Sequence, residues 1–186
     1  AMQVELDGLA ALDCWDYVDA NTVPPNEKIY HGKFVYKYKS PQNNMPGRYK
    51  ARWCISDPKW LQRLSDVDCF AETVRVETIR TLLSKAVERN WAMANIDVVN
   101  AFCTSKLDKP VYMQVPKMLQ HKYPGKVCLV KGALYGLAHS PRTFHKHLDR
   151  WFRENGFAAS TADKCFYTKH DAHGKVNLAF ATFVDD

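Results

Sequence analysis

The segment Trp91–Phe102 has the sequence WAMANIDVVNAF and places one carboxylate, Asp97, in a run of small and β-branched residues. Such a run predicts a buried β-strand. A carboxylate in a buried strand needs a partner, because a charge taken out of water without compensation is costly. Asp185 and Asp186 directly follow another predicted strand. The sequence therefore predicts that Asp97 and this pair meet at neighbouring strand tips.

Three clustered carboxylates repel one another unless divalent cations lie between them, and Mg²⁺ prefers oxygen ligands of this kind. Two metal ions about 3.5 to 4 Å apart activate an attacking oxygen and stabilise the leaving one in phosphoryl or nucleotidyl transfer. The pattern is thus compatible with a polymerase or a nuclease. By spacing alone, an Asp-Asp pair at a strand end is more often a turn or a frayed terminus, and that alternative stays open.

Upstream of this segment, the alternating residues of Lys33–Lys39 and the stretch Arg48–Ile55 predict a basic β-hairpin. Its loop is too long for a two-residue turn, so we expect a mobile tip. Residues 1–30 mix acidic, aromatic and Pro-Pro elements, which predicts a short helix, an irregular connection and thus an N-terminal arm. Apolar residues at helical spacing over Glu72–Asn90 predict a helix that is buried along one stripe.

Downstream, short strands are predicted at Val111–Val115 and Lys126–Val130. Ser140 and Pro141 predict the N-cap and first turn of a second helix, which extends to Asn155. A final hairpin is predicted from Lys164–Lys169, a turn at 170–174 and a strand with Val176, Leu178 and Phe180 on one face. These elements predict an α+β fold with a mainly antiparallel sheet packed on two main helices.

The composition is that of a globular protein, with 46% hydrophobic and 25% charged residues among 186. It argues against wholesale disorder, and no run of 18 apolar residues predicts a membrane span. We expect an intracellular protein, cytoplasmic or nuclear, although a leader removed before Ala1 would leave secretion open. A net charge of +6 suits a polyanionic partner such as nucleic acid.

The cysteines and histidines predict no metal site. The six cysteines lie far apart without a C-x-x-C motif, so we expect buried, reduced thiols: Cys14, Cys54, Cys69, Cys103, Cys128 and Cys165. His145 and His147 are two residues apart and do not share a helical face. We expect them and His139 to be surface residues.

Several stretches resemble, in order and approximate spacing, motifs of the reverse transcriptases of copia-type (Pseudoviridae-like) LTR retrotransposons. The first catalytic motif is matched by Asn95–Phe102 and Leu107–Pro116, the next by Val127–Leu137 with Ser140-Pro141-Arg142, and the aspartate-pair motif by Phe183–Asp186. Upstream matches are Arg48–Arg52, Phe70-Ala71 and Glu77–Arg80. The resemblance spans about residue 30 to Asp186.

This resemblance implies an incomplete fingers and palm domain over residues 31–186, preceded by the N-terminal arm of residues 1–30. It also implies an RNA-directed DNA polymerase that transfers dNTPs to a primer 3′-OH by a two-metal mechanism. Asp97, Asp185 and Asp186 would be the catalytic residues and the ligands of Mg²⁺ or Mn²⁺. The implied partners are an RNA or DNA template-primer and dNTPs.

The resemblance also implies which residues bind the nucleotide: Lys50, Arg52, Phe102, Tyr135 and Gly136. The Phe102 ring would be a steric gate that collides with a ribose 2′-OH, with an ordinary core phenylalanine as the alternative. Tyr135 and Gly136 would form the floor of the pocket, although a turn before the helix also calls for glycine. Lys37 and Lys39 would bind nucleic acid, with a solvated strand face as the alternative.

In the family, a returning strand, a thumb and an RNase H domain follow the aspartate pair, and the sequence contains none of them. We therefore expect this chain alone to have little or no polymerase activity. The alternative function is a retroelement-derived, catalytically dead binding module for nucleic acid or for a protein partner. The acidic N-terminal arm and the residues after Arg52, which depart from the family pattern, motivate it.

Overall fold

The computed structural model describes residues 1–41, 45–56 and 71–183. These ranges contain three α-helices: α1 (Met2–Ala11), α2 (Val76–Glu88) and α3 (Ser140–Glu154). They also contain eight strands: β1 (Trp15–Asp19), β2 (Ile29–Lys39), β3 (Arg48–Ser56), β4 (Lys106–Gln114), β5 (Lys126–Gly132), β6 (Ala158–Ala159), β7 (Phe166–His170) and β8 (Val176–Ala181). The predicted α+β class is confirmed.

Five strands form the larger sheet in the order β1-β5-β4-β2-β3. The neighbours pair antiparallel except β2 and β4, which run parallel where Ile29 lies opposite Tyr112. The predicted basic hairpin is confirmed as β2 and β3, with Lys37 opposite Lys50. Residues 42–44 of its loop lie outside the described residues, so the mobile tip stays a prediction.

The main core joins the N-terminal residues to this sheet. Leu6 and Leu9 of α1 pack in one buried cluster with Trp53 of β3 and Met113 of β4. The predicted short helix is confirmed, but the connection after it also contains β1, which the sequence did not predict. β1 pairs antiparallel with β5. Because its stabilising partner lies more than a hundred residues away, five residues of local sequence contained too little signal to predict it.

The helix predicted over Glu72–Asn90 is confirmed as the shorter α2, which ends at the C-cap residue Arg89. The predicted burial along one stripe is wrong for half of that stripe. Val76, Leu83 and Val87 are 54%, 49% and 74% exposed, and Ala86 is the one residue of α2 that is buried. Helical periodicity predicts which side chains share a face, whereas burial needs another element to cover that face.

The second predicted helix is confirmed as α3, with Pro141 in its first turn. The prediction of Ser140 as N-cap is wrong, because His139 occupies that position. The Ser140 hydroxyl instead donates to the Leu134 carbonyl at 2.6 Å. Phe144 and Phe152 are the large apolar residues that α3 buries.

The buried strand predicted over Trp91–Phe102 is wrong. Residues 91–98 form no regular element, and residues 92–99 are exposed. Burial begins with the 3₁₀ turn Ala101–Thr104, in which the side chains of Phe102 and Cys103 are buried. A β-branched run becomes a strand only when another strand pairs with it, and none of the described strands does so.

The C-terminal hairpin is confirmed as β7 and β8, which form a three-stranded sheet in the order β6-β7-β8. Phe152 of α3 stacks on Tyr167 of β7 at 4.3 Å, and Phe180 of β8 packs 5.3 Å from Phe152. This sheet and α3 therefore share an aromatic core. The five described cysteines are all buried, as predicted, and Cys69 lies outside the described residues.

Candidate nucleotide and metal site

The positive charge of the chain is concentrated on the β2–β3 hairpin. Residues 28–56 contain seven lysines and arginines and no aspartate or glutamate, whereas the whole chain has a net charge of +6. Successive strand residues point to opposite faces, and the register of the two strands gathers six of these cations on one face. We call this the cationic face: Lys33, Lys37, Lys39, Arg48, Lys50 and Arg52.

Lys50 is half-buried on this face. Burial lowers the pKa of Lys50, and the like charges of Arg52 and Lys39 lower it further. The carboxylates of Glu5 and Asp97 act in the opposite direction but do not reverse the shift. An anion bound here would relieve the repulsion among these cations, so the cationic face is suited to phosphate groups.

At the Arg52 end of the cationic face lies a group of packed side chains that we call the aromatic cluster: Arg52, Phe102, Tyr135 and Phe144. The Arg52 guanidinium lies over the Tyr135 ring at 5.1 Å from its centroid. The rings of Tyr135 and Phe102 are 4.9 Å apart, and Phe144 lies 6.1 Å from Phe102. The structure thus brings together three of the five predicted nucleotide-binding residues, from segments far apart in sequence.

Phe102 is 5% exposed and packs in a cluster with Ala133 and Phe144. This packing agrees with the alternative of a core phenylalanine. The ring also contacts Tyr135, which is half-buried. The role of Phe102 as a steric gate remains a prediction.

Gly136 follows Tyr135 and lies against β3. Its φ is +94°, and a Cβ built on it would lie 2.0 Å from the Ile55 carbonyl oxygen. The Ile55 N–H donates to the Tyr135 carbonyl at 2.8 Å. This backbone contact, which we call the Gly136 joint, requires glycine, because any side chain would push the Tyr135-Gly136 backbone away from β3.

Asp97 lies in the exposed, irregular segment, so its predicted place at a buried strand tip is wrong. Asp185 and Asp186 lie outside the described residues. The meeting of the three carboxylates therefore stays a prediction.

The described residues supply one of the three predicted metal ligands. Asp97 offers the oxygen donors that Mg²⁺ prefers. No group of three or more His, Cys, Asp or Glu residues in the described ranges could hold a metal ion. In this part of the chain the residues do not make a complete metal site.

Asp163 is a buried carboxylate that the sequence analysis missed. It is 7% exposed, and its Oδ2 accepts hydrogen bonds from the Arg75 N–H at 2.9 Å and the Thr78 hydroxyl at 2.6 Å. Its Oδ1 accepts one from the Cys165 N–H at 3.0 Å. Burial raises the pKa of Asp163, but the hydrogen bonds from Thr78, Arg75 and Cys165 outweigh it, so the pKa lies below its ordinary value.

We call Asp163 with Arg75, Thr78 and Cys165 the Asp163 cluster. It joins the start of α2 to the residues before β7, where a negative charge is also favoured by the helix dipole. The end of β8 is tied to the same place, since Thr182 donates through its N–H to the Cys165 carbonyl and accepts from the Val74 N–H. No local pattern marked Asp163, because its partners Arg75 and Thr78 lie more than eighty residues away.

Of the three histidines that were predicted to lie on the surface, two are half-buried. His139 is half-buried, and burial lowers its pKa despite the nearby charge of Asp108. His145 is also half-buried, and its Nε2 lies 3.5 Å from the Cys165 Sγ. Burial raises the pKa of Cys165 to about 11, so this thiol stays neutral and is a poor nucleophile. His147 is exposed, as predicted.

Comparisons with known proteins agree with the resemblance noted from the motifs. The chain is 29% identical over 188 residues to the retrovirus-related Pol polyprotein from transposon RE1 of Arabidopsis thaliana, covering 100% of the chain and 12% of that protein. It is 28% identical over 187 residues to the corresponding polyprotein from transposon RE2 of the same plant, covering 100% and 13%. It is 26% identical over 189 residues to that from transposon TNT 1-94 of Nicotiana tabacum, covering 100% and 14%.

The chain thus spans about an eighth of the length of these relatives. No solved structure matches it. None of the helices in the described ranges is long and apolar enough to cross a membrane. The family model for reverse transcriptase (RNA-dependent DNA polymerase) matches residues 13–186. The chain therefore belongs to the reverse transcriptase family, as the reverse transcriptase region of a copia-type retroelement.

Proposed function

We propose that this chain is the fingers and palm part of a polymerase that adds dNTPs to a primer 3′-OH under the direction of an RNA or DNA template. The observation that carries the proposal is the position of Arg52. It belongs to the cationic face and at the same time lies over Tyr135 in the aromatic cluster. A nucleotide has a polyanionic end and a flat base, and this arrangement offers a counterpart to each.

In this proposal, residues 31–186 are the fingers and palm, and residues 1–30 are an arm that packs on them through α1 and β1. Lys50 and Arg52 bind the triphosphate, and Tyr135 and Gly136 support the nucleotide from below. Phe102 discriminates against a 2′-OH through the position of its ring. Lys37 and Lys39, both exposed, bind the template backbone through charge.

Asp97, Asp185 and Asp186 would hold two Mg²⁺ or Mn²⁺ ions in the proposed polymerase. Bound there, the metals would neutralise phosphate charge and activate the primer hydroxyl. Apart from Asp97, the described residues of the site contribute differently: they bind the anionic end of the nucleotide and orient its base. Holding the nucleotide in a reactive orientation would itself accelerate its reaction with the primer, independently of any metal ion.

A primer-extension assay tests the proposal, with Mg²⁺ or Mn²⁺ and three proteins: the chain itself, its Asp97→Ala variant, and the chain extended through a thumb. We expect the extended protein to lengthen the primer and to lose that activity on Asp97→Ala. We expect little or no extension by the chain alone. Extension that survives Asp97→Ala, or its absence from the extended protein, would contradict the proposal.

The second candidate is a catalytically dead binding module for nucleic acid. The separation of charge favours it, since residues 28–56 contain seven cations without one carboxylate. Binding by such a module is salt-dependent, and each contacted phosphate of a single strand contributes about −0.7 to the slope of log K against log salt. Binding that survives Asp97→Ala in a protein without extension activity would favour this candidate. No binding of nucleic acid at low salt would point to a protein partner instead.

A further inference from the structure

The chain that leads to the aspartate pair is held at Thr182. Strand β8 ends at Ala181, which lies opposite Phe166 in the ladder with β7. Thr182 follows directly, is buried, and stands three residues before Asp185 in the sequence. Because three residues of extended chain span at most about 11 Å, an anchor at Thr182 limits how far Asp185 can move.

Two separate routes of hydrogen bonds connect Thr182 to Asp163. In the first, the Thr182 N–H and hydroxyl both donate to the Cys165 carbonyl, at 2.9 and 3.2 Å, and the Cys165 N–H donates to Asp163 Oδ1 at 3.0 Å. In the second, the Thr182 carbonyl accepts from the Val74 N–H at 3.2 Å. The residue after Val74 is Arg75, whose N–H donates to Asp163 Oδ2 at 2.9 Å. One carboxylate thus holds both partners of Thr182, directly or through the neighbouring residue.

These connections lie inside the protein, since Asp163, Cys165 and Val74 are all buried. Hydrogen bonds to a charged acceptor are stronger than those between neutral groups, and a buried donor that loses its acceptor is costly. Among the described strands, β8 pairs only with β7, so the bond from Val74 holds its end from outside the sheet. The Asp163 cluster is therefore built to fix the end of β8 in one place.

We propose that Asp163 is a positioning residue for the polymerase reaction, because it anchors Thr182 and thereby sets the place of Asp185 and Asp186. The inference rests on the proposed function, which takes these two aspartates as catalytic residues. Asp163 itself touches no substrate and acts only through its hydrogen bonds. Such an anchor matters because catalytic groups must be held within about 0.5 Å of their productive geometry.

Amide hydrogen exchange of the chain itself, resolved by NMR, tests the anchor without metal or substrate. The reference is the Ala133 N–H, which donates to the Ser105 carbonyl elsewhere in the fold. We expect Asp163→Ala to accelerate exchange of the Thr182 N–H at least about tenfold more than that of the reference, because the loss of the acceptor opens this site locally. Leu9→Ala is the matched control, since Leu9 is buried in the main core and its truncation also destabilises the fold. It should accelerate exchange at the two sites alike.

Steady-state primer extension by the chain extended through a thumb tests the consequence for the reaction. We expect Asp163→Ala to raise the Mg²⁺ concentration that gives the half-maximal rate at least about tenfold, as loss of a supporting residue around a metal site does. A smaller folded fraction would lower kcat but leave this concentration unchanged, so the measurement separates positioning from stability. Leu9→Ala should leave it within twofold. Asp163→Asn retains an oxygen that accepts hydrogen bonds and should give an intermediate value.

Two results would overturn the positioning role and leave the proposed function intact. The first is exchange that Asp163→Ala accelerates equally at Thr182 and Ala133. The second is an active extended protein in which Asp163→Ala leaves the half-saturating Mg²⁺ concentration unchanged, since Asp163 would then only stabilise the fold. If the unmodified extended protein does not lengthen the primer, the proposed function fails and the positioning role fails with it.

Discussion

The joint at Gly136 and the Asp163 cluster each hold distant segments of the chain together, but by different physical means. At Gly136, two backbones approach so closely that a Cβ would lie 2.0 Å from the Ile55 carbonyl oxygen. At Asp163, a buried carboxylate accepts three hydrogen bonds from three other residues. The first joint depends on shape and should be indifferent to pH. The second depends on charge and should weaken when the carboxylate is protonated.

Gly136→Ala should have the largest effect. The new Cβ would clash with the Ile55 backbone and force alanine into a left-handed φ, which together should lower the free energy of unfolding by about 3 to 5 kcal/mol. Urea denaturation measures this loss. Gly174→Ala is the matched control, because Gly174 has a φ of +75° and nothing within 4 Å of its Cβ position. We expect a loss of about 1 kcal/mol there, and equal losses at the two positions would show that the close approach does not matter.

Asp163→Ala should rank second, with a loss of about 3 kcal/mol, because it leaves the Arg75 N–H, the Thr78 hydroxyl and the Cys165 N–H without their acceptor. Asp163→Asn should lose less, since its amide oxygen still accepts. The same denaturation experiment checks both. As a control, Asp171 accepts from the N–H groups of His173 and Lys175 in an exposed turn, and Asp171→Ala should cost less than about 1 kcal/mol. If Asp171→Ala lowers the free energy of unfolding as much as Asp163→Ala does, burial is not what makes the Asp163 hydrogen bonds stabilising.

The pH dependence of these losses sharpens the contrast. The pKa of Asp163 in the folded chain lies below its ordinary value of 3.8, so its stabilising effect is present above pH 3.8 and is lost as pH falls through the folded pKa. The stability difference between the unmodified chain and Asp163→Asn should therefore shrink between pH 6 and pH 3. The difference caused by Gly136→Ala should stay constant. A constant difference for Asp163→Asn would mean that its charge contributes nothing.

The smallest effect is expected at Trp53, which neighbours the Gly136 joint on β3. Its ring is 5% exposed, yet its Nε1–H has no hydrogen-bond partner among the described residues. Trp53→Phe removes this unpaired donor and some packing, so the two effects offset and stability should change by less than about 1 kcal/mol. Trp53→Ala should cost about 3 to 5 kcal/mol, because it leaves a cavity. If Trp53→Phe costs as much as Trp53→Ala, the indole N–H makes a stabilising hydrogen bond with a group outside the described residues.

Local patterns predicted the elements whose signal lies within the element itself. The alternation in Lys33–Lys39 and the periodicity of α2 and α3 are of this kind, and all three elements are confirmed. The prediction for Trp91–Phe102 is wrong because a strand needs a neighbouring strand, which composition does not supply. The same reason explains why β1 was missed and why half of the apolar stripe of α2 is exposed.

The candidate site divides in the same way. The motif resemblance selected Arg52, Phe102 and Tyr135, and the structure brings them together. Asp97 was selected by the same means but lies in an exposed segment. Asp163 was not selected, since an isolated aspartate in the sequence has no feature that distinguishes a buried acceptor from a surface charge.

By itself, the amino-acid sequence determined the family, the basic hairpin, the two long helices and the types of residue that the aromatic cluster contains. These follow from alternation, helical periodicity and ordered motifs, all of which are written in neighbouring residues. Only the tertiary structure decided that Arg52 lies over Tyr135, that Gly136 admits no side chain and that Asp163 is buried with three donors. Each of these depends on contacts between residues far apart in the chain, and such contacts exist only after the segments have packed.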